Sequence, residues 1–290
     1  MGASLADAPP PVSKETQQAP KPDELWHLSL NDSASETIVL LHGLGSSHDE
    51  WMLVWPHLTG YHLLVPDLPG HSNSAHLAPA SIPAQAAQVV ALIRDHAHGG
   101  TAHVVGLSMG GFVALETART QPELARCVFA TGCAPFAGWR LGAARHTGLL
   151  GALRTGFDML PVRLCDWVSD TAWAAQGMVV PDELRRELKR NSSAELLKEV
   201  FSSIVLLEAE ALQDVKVRTL AVAGGKGDDV EATRRQGALL EQGCEESKAV
   251  VVQQAVHPWD LQLPEVFAGG ITAWIEGRAL PEEYEDLSQK

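Results

Sequence analysis

The sequence predicts an α/β protein: a mostly parallel central sheet flanked by helices, interrupted once by a helical insertion. Three observations lead there. From residue 25 onward, short apolar runs alternate with segments of helical period, as strands joined by crossover helices require. Most of those runs are nearly continuous in Val, Leu, Ile and Ala, the pattern of strands covered on both faces. Between 134 and 214 the alternation fails, with several helical stretches and no good strand.

Residues 1–23 are rich in Pro, Ala, Gln and Ser, including Pro9, Pro10, Pro11, Pro20 and Pro22, and read as a flexible tail. They lack the apolar run of a signal peptide, and Ala6 stands where a myristoylation site wants Ser or Thr. Strands are then expected over 25–30, 37–41, 62–65, 102–107, 127–131, 217–223 and 249–252. Helices are expected over 50–58, 83–98, 109–119, 230–242 and 264–276. Within the insertion, 182–189 and 194–210 have helical character, punctuated by Pro161 and Pro181. Insertions that leave the carboxyl ends of strands in an open parallel sheet overhang the ligand crevice. Residues 134–214 are therefore expected to form a helical lid on a core made of 24–133 and 215–290.

Composition limits the partners. The chain has 290 residues with 45% hydrophobic and 20% charged side chains, ordinary for a globular protein with a substantial core. Its 22 Lys and Arg against 36 Asp and Glu give a formal charge of −14, a surface that repels nucleic acid and anionic membranes. No stretch is long and apolar enough to span a bilayer. Cys127, Cys133, Cys165 and Cys244 are far apart and show no disulfide framework, so they read as reduced thiols and the expected compartment is cytoplasmic. The sequence leaves the oligomeric state open.

The chemistry enters at Gly106-Leu107-Ser108-Met109-Gly110, which ends one expected strand and opens the next expected helix. Side chains at Gly106 and Gly110 would collide with neighbouring backbone in so tight a turn, which presents the Ser108 oxygen at a strained angle. A serine hydroxyl is a weak nucleophile and needs a base, which in turn needs an orienting group. His257 follows the strand at 249–252 on a loop, where its Nε2 can reach Ser108. For the acid, the preceding strand opens into Gly224-Gly225-Lys226-Gly227-Asp228-Asp229. Asp228 is the choice because Asp229 suits the N-cap of the helix beginning near Val230, although the two roles could be exchanged. The earlier segment Thr131-Gly132-Cys133-Ala134-Pro135 offers no carboxylate. His96 and His98 stand close together, but no third ligand is evident, so neither a metal nor another cofactor is expected.

The ordered set His42-Gly43-Leu44-Gly45, Asp67-Leu68-Pro69-Gly70-His71-Ser72, the serine motif, Asp228 and His257 resembles the α/β-hydrolase family over nearly the whole chain after the tail. The resemblance implies an oxyanion hole made by the backbone amides of Leu44 and Met109, each donor worth about 3–4 kcal/mol in acyl transfer. It implies that His42 orients that loop rather than moving protons, and that Asp67, Gly70 and His71 support the carboxyl edge of the sheet. It implies a hydrolase for a small to medium hydrophobic ester or lactone of carboxylic acids. Thioesters, carbon–carbon bonds, cofactor-free haloperoxidase chemistry and a slow-turnover small-molecule receptor stay open on the same triad. Phe136, Trp139 and Trp167 are the candidates for binding the small-molecule substrate, while Phe157, Met159, Trp173 and Met178 could equally form the lid's own core.

Overall fold

The computed structural model describes residues 23–136, 142 and 162–288. Trp139, Phe157, Met159 and most of the expected tail lie outside the described residues.

The strands are β1 (His27–Leu30), β2 (Thr37–Leu41), β3 (His62–Pro66), β4 (Ala102–Leu107), β5 (Ala125–Thr131), β6 (Thr219–Gly224), β7 (Lys248–Val252) and β8 (Tyr284–Asp286). They form an eight-stranded sheet in the order β1-β3-β2-β4-β5-β6-β7-β8. Pairing is parallel from β3 through β7, and antiparallel only where β1 joins β3 and β8 joins β7. Every residue of β2, β3, β4 and β6 is buried, which is why those segments read as unbroken apolar runs.

The helices are α1 (Ile82–His96), α2 (Met109–Thr120), α3 (Val162–Ala175), α4 (Asp182–Arg190), α5 (Ala194–Val205), α6 (Val230–Gly243) and α7 (Pro264–Ile275). Alternate strand residues serve opposite faces of the sheet. Val39, Leu41, Val104 and Val128 pack with Val89, Val113 and Leu240 from α1, α2 and α6. Ile38, Leu40, Val105 and Phe129 pack with Phe267, Ile271 and Trp274 of α7 and with Trp51. Each fully buried side chain of this size contributes roughly 1.5–3 kcal/mol of transfer free energy.

Three expectations need correction. Residues 50–58 form two short 3-10 segments, His48–Leu53 and Trp55–His57, instead of one helix. Pro56 has no amide to donate, and the turns close with Val54 N–H to Trp51 O and His57 N–H to Val54 O. The helix over 194–210 stops at Val205. Its buried stripe is Leu196, Val200 and Ile204, and the next position on that face is Glu208, whose charge resists burial. Strand β8 was not expected, because Glu285 and Asp286 are exposed and polar; pairing with β7 and burial of Tyr284 define it.

The strand order reverses direction at β2 and β4, whose carboxyl ends lead into His42-Gly43-Leu44 and into Ser108 respectively. Such a switch point opens the crevice where open α/β sheets hold ligands. Among the described residues no strand lies between Thr131 and Thr219, and α3, α4 and α5 occupy that interval.

Candidate active site

Ser108 joins β4 to α2 with φ 55° and ψ −117°, a left-handed conformation that an L-residue adopts only under constraint. The constraint is steric. A Cβ on Gly106 would lie 2.1 Å from the Gly110 carbonyl oxygen, and one on Gly110 would lie 2.1 Å from that of Leu41. The strand and helix can approach this closely only with glycine at both places. The Ser108 amide donates to Thr131 O at 2.8 Å, which ties the turn to the end of β5.

His257 sits half-buried beyond β7, with Nδ1 donating to Asp228 Oδ1 at 2.5 Å. Asp228 Oδ2 accepts the Gly224 amide at 2.7 Å, so both carboxylate oxygens are engaged. Burial works against a charged imidazole, but the Asp228 hydrogen bond and the charges of Asp228 and Glu50 outweigh it. The His257 pKa lies above its ordinary 6.5. Asp229 caps α6, its Oδ1 accepting the Ala232 amide at 2.9 Å.

A cavity of about 340 Å³ brings Ser108, His257 and Asp228 together with Leu44, Met109 and Phe136. Met109 is the first residue of α2, so its amide is one of the first-turn amides that lack an intrahelical acceptor. Phe201 and Ile204 of α5 also line the cavity, and Phe136 stacks on Phe201 with ring centroids 6.3 Å apart. Trp167 does not line this cavity and is 64% exposed. Of the two expected substrate contacts with described side chains, Phe136 lines the cavity and Trp167 does not. Trp173 and Met178 pack with Leu184 and Leu261, so their burial is structural.

The loop after β2 is held by histidines. His42 is fully buried; its Nδ1–H donates to Gly43 O at 2.8 Å and its Nε2 accepts the Leu68 amide at 2.9 Å. Burial lowers its pKa to about 3, so it stays neutral and bridges two loops. His71 Nε2 accepts the Gly45 amide at 3.1 Å, and Asp67 accepts from the His48 amide and ring and from Asn73.

Two positions escaped sequence reasoning. Asn191, at the end of α4, is buried; its Oδ1 accepts the Ser72 amide at 2.9 Å and its Nδ2 donates to Ser46 O at 2.8 Å. One amide side chain thereby links the helical insertion to the loops after β2 and β3. Gly132 has φ 63°, and a Cβ there would lie 2.7 Å from His257 Cε1. The one available signal was a glycine directly after a strand that neighbours the serine strand.

His98 and His96 part company. His98 stacks on His62, and their ring nitrogens lie with Asp32 Oδ1 in a group whose atoms are all within 4.8 Å of one another. His62 already bonds Ser29 and Thr37, and Asp32 is 68% exposed, so the group stands as an internally bonded cluster at the amino ends of the strands. His96 packs against His27 instead. No described helix is long and apolar enough to cross a membrane.

Comparison with known proteins agrees with this fold. The family model described as the alpha/beta hydrolase family matches residues 38–269. A protein of Gibberella zeae named as an AB hydrolase superfamily protein is 31% identical over 289 residues, covering 97% of this chain and 94% of that protein. A pimeloyl-(acyl-carrier protein) methyl ester esterase of Neisseria meningitidis is 29% identical, covering 84% of this chain and 78% of its own. Among solved structures, a hydrolase from Pseudomonas aeruginosa superposes with a TM-score of 0.61 at 20% identity, covering 87% of this chain and 98% of its own.

Proposed function

Because the chain belongs to the alpha/beta hydrolase family, we propose that it is a serine hydrolase acting on a small to medium hydrophobic carboxylic ester or lactone. The observation that carries this reading is a strained Ser108 sharing one cavity with a His257 that is bonded to Asp228. His257 Nε2 takes the Ser108 proton as Oγ attacks the carbonyl, and the Leu44 and Met109 amides hold the oxyanion. Asp228 keeps the proton on Nδ1, leaves Nε2 free to act as base, and stabilises the imidazolium that forms. Collapse of the tetrahedral intermediate expels the alcohol, which leaves with the proton from His257. Water then attacks the acyl-Ser108 ester, its proton passing to His257 and on to the leaving Oγ.

Asp228 is the triad acid in this scheme and Asp229 the helix cap, a division supported by their different partners. The substrate's acyl part faces Phe136, Phe201 and Ile204, with the helical insertion as lid. These apolar walls favour a hydrophobic acyl group over a charged one.

A turnover screen of p-nitrophenyl esters, lactones and thioesters of graded acyl size, with Ser108→Ala as control, tests the reading. Ester or lactone turnover that Ser108→Ala abolishes is expected. Wild-type rates in Ser108→Ala would sink the scheme.

A further inference from the structure

Behind the loop that carries Leu44, two buried carboxyl groups stand outside the reaction scheme. Glu50, in the His48–Leu53 turn, is 5% exposed, and its Oε2 accepts the Gly43 amide at 2.6 Å. Both of its oxygens lie against Gly43, 3.6 and 3.7 Å from where a Cβ would stand. Asp260, on the same loop as His257, is fully buried, and among the described residues its side-chain oxygens have no hydrogen-bond partner beyond the amides of its own loop. Two carboxylates so far from water cannot both ionise without a compensating charge. His257 is the opposite-sign group that acts on Glu50.

The order of ionisation follows from the contacts. Burial, and then the Glu50 charge, push the Asp260 pKa well above the carboxylate range. Burial raises Glu50 to about 7, against the pull of the Gly43 amide and of His257. Glu50 is therefore the first of the two to ionise and Asp260 the second.

We propose that Glu50, and not Asp260, is a positioning residue of this site: it holds the Gly43 amide, and with it the Leu44 end of the oxyanion loop, and lends His257 a second negative neighbour. The roles of Leu44 and His257 in this statement rest on the serine-hydrolase reading. A charged acceptor on an amide makes a shorter and stronger bond than a neutral one, as a loop that must aim the next amide requires. The charges that act on His257 are Asp228 from the loop after β6 and Glu50 from the turn after β2, while Asp260, three residues further along its own loop, acts with Glu50.

The test reads the His257 titration by NMR in full-length Ser108→Ala protein, alone and with Glu50→Gln or Asp260→Asn added. Glu50→Gln keeps an acceptor but removes the charge, and is expected to lower the His257 midpoint by roughly half to one pH unit. Asp260→Asn replaces one neutral group by another and is expected to leave that midpoint in place. With Ser108 restored, Glu50→Gln is expected to lower kcat about tenfold with KM held within about twofold. Glu50→Asp retains the charge without the reach to Gly43, and should lose kcat while keeping the midpoint nearer to that of the parent protein. An unchanged midpoint in Glu50→Gln, or a shifted one in Asp260→Asn, overturns the proposal. Should Glu50→Gln not fold, infrared spectroscopy decides: a protonated-carboxyl band must persist above neutral pH and vanish in Asp260→Asn. Its absence in the parent protein also overturns the proposal. None of these titrations needs turnover, so failure of the serine reading would show separately, as activity retained by Ser108→Ala.

Discussion

His257 Nδ1 donates to Asp228 Oδ1 at 2.5 Å, while the neighbouring Asp229 turns away to cap α6. Two adjacent carboxylates thus take different work from a single change of direction in the chain. Asp228→Asn removes the acceptor that fixes the imidazole tautomer and is expected to lower kcat by about 10³–10⁴, with KM changed little. Asp229→Ala is expected to cost about 1 kcal/mol of stability, the usual value of an N-cap, with kcat within a few-fold. Steady-state kinetics and urea unfolding of the pair separate the two roles. Equal kinetic losses would show that the assignment is wrong.

The pH profile follows from the same contact. In the proposed mechanism His257 must be neutral to accept the Ser108 proton, and its pKa lies above 6.5. The acid limb of kcat/KM is therefore expected to fall with a midpoint above 6.5 and to move downward in Asp228→Asn. The stability linkage has the opposite sense. A group whose folded pKa is raised stabilises the fold below its unfolded pKa and loses that contribution as pH rises through the folded value. His257→Gln should accordingly cost more stability near pH 5 than near pH 8 (about one and a half units either side of the free imidazole value).

Gly132→Ala places a methyl group where 2.7 Å separates it from His257 Cε1, and adds strain at φ 63°. The imidazole has to move, and a displacement of about 1 Å in a catalytic group costs on the order of 10² in rate. Activity is expected to fall by at least that factor, with the far-UV spectrum unchanged. Near-normal activity would mean that the ring has more freedom than the packing allows.

Asn191→Ala leaves the Ser72 amide and the Ser46 carbonyl buried without their partner. A loss of about 2–4 kcal/mol in urea unfolding is expected, one unpaired group costing roughly 1–3 kcal/mol. KM should rise as well, since the bond joins the insertion to the loop bearing Leu44; a stability loss with unaltered kinetics would confine Asn191 to a structural role.

Most of the fold was legible because parallel strands buried on both faces leave apolar runs that few other structures explain. The serine turn was legible too, since its glycines answer steric demands arising within a few residues. The end of the 194–210 helix and strand β8 were hidden, because each depends on what packs or pairs against it from far along the chain. The place of Trp167 was hidden for the same reason: an aromatic residue in the sequence does not show which way its helix faces, and on α3 it is 64% exposed.

The sequence alone determined the α/β architecture, the position of Ser108 between β4 and α2, and the order in which Asp228 and His257 follow it. Those features are written locally, in periodicity, glycine spacing and chain order. Only the tertiary structure gave Asp228 and Asp229 their different partners, brought Gly132 against His257, bound the insertion to the core through Asn191, and buried Glu50 and Asp260. Each of these is a contact between segments distant in sequence, and hydrogen bonds and buried charges act over a few ångströms of space whatever the separation along the chain.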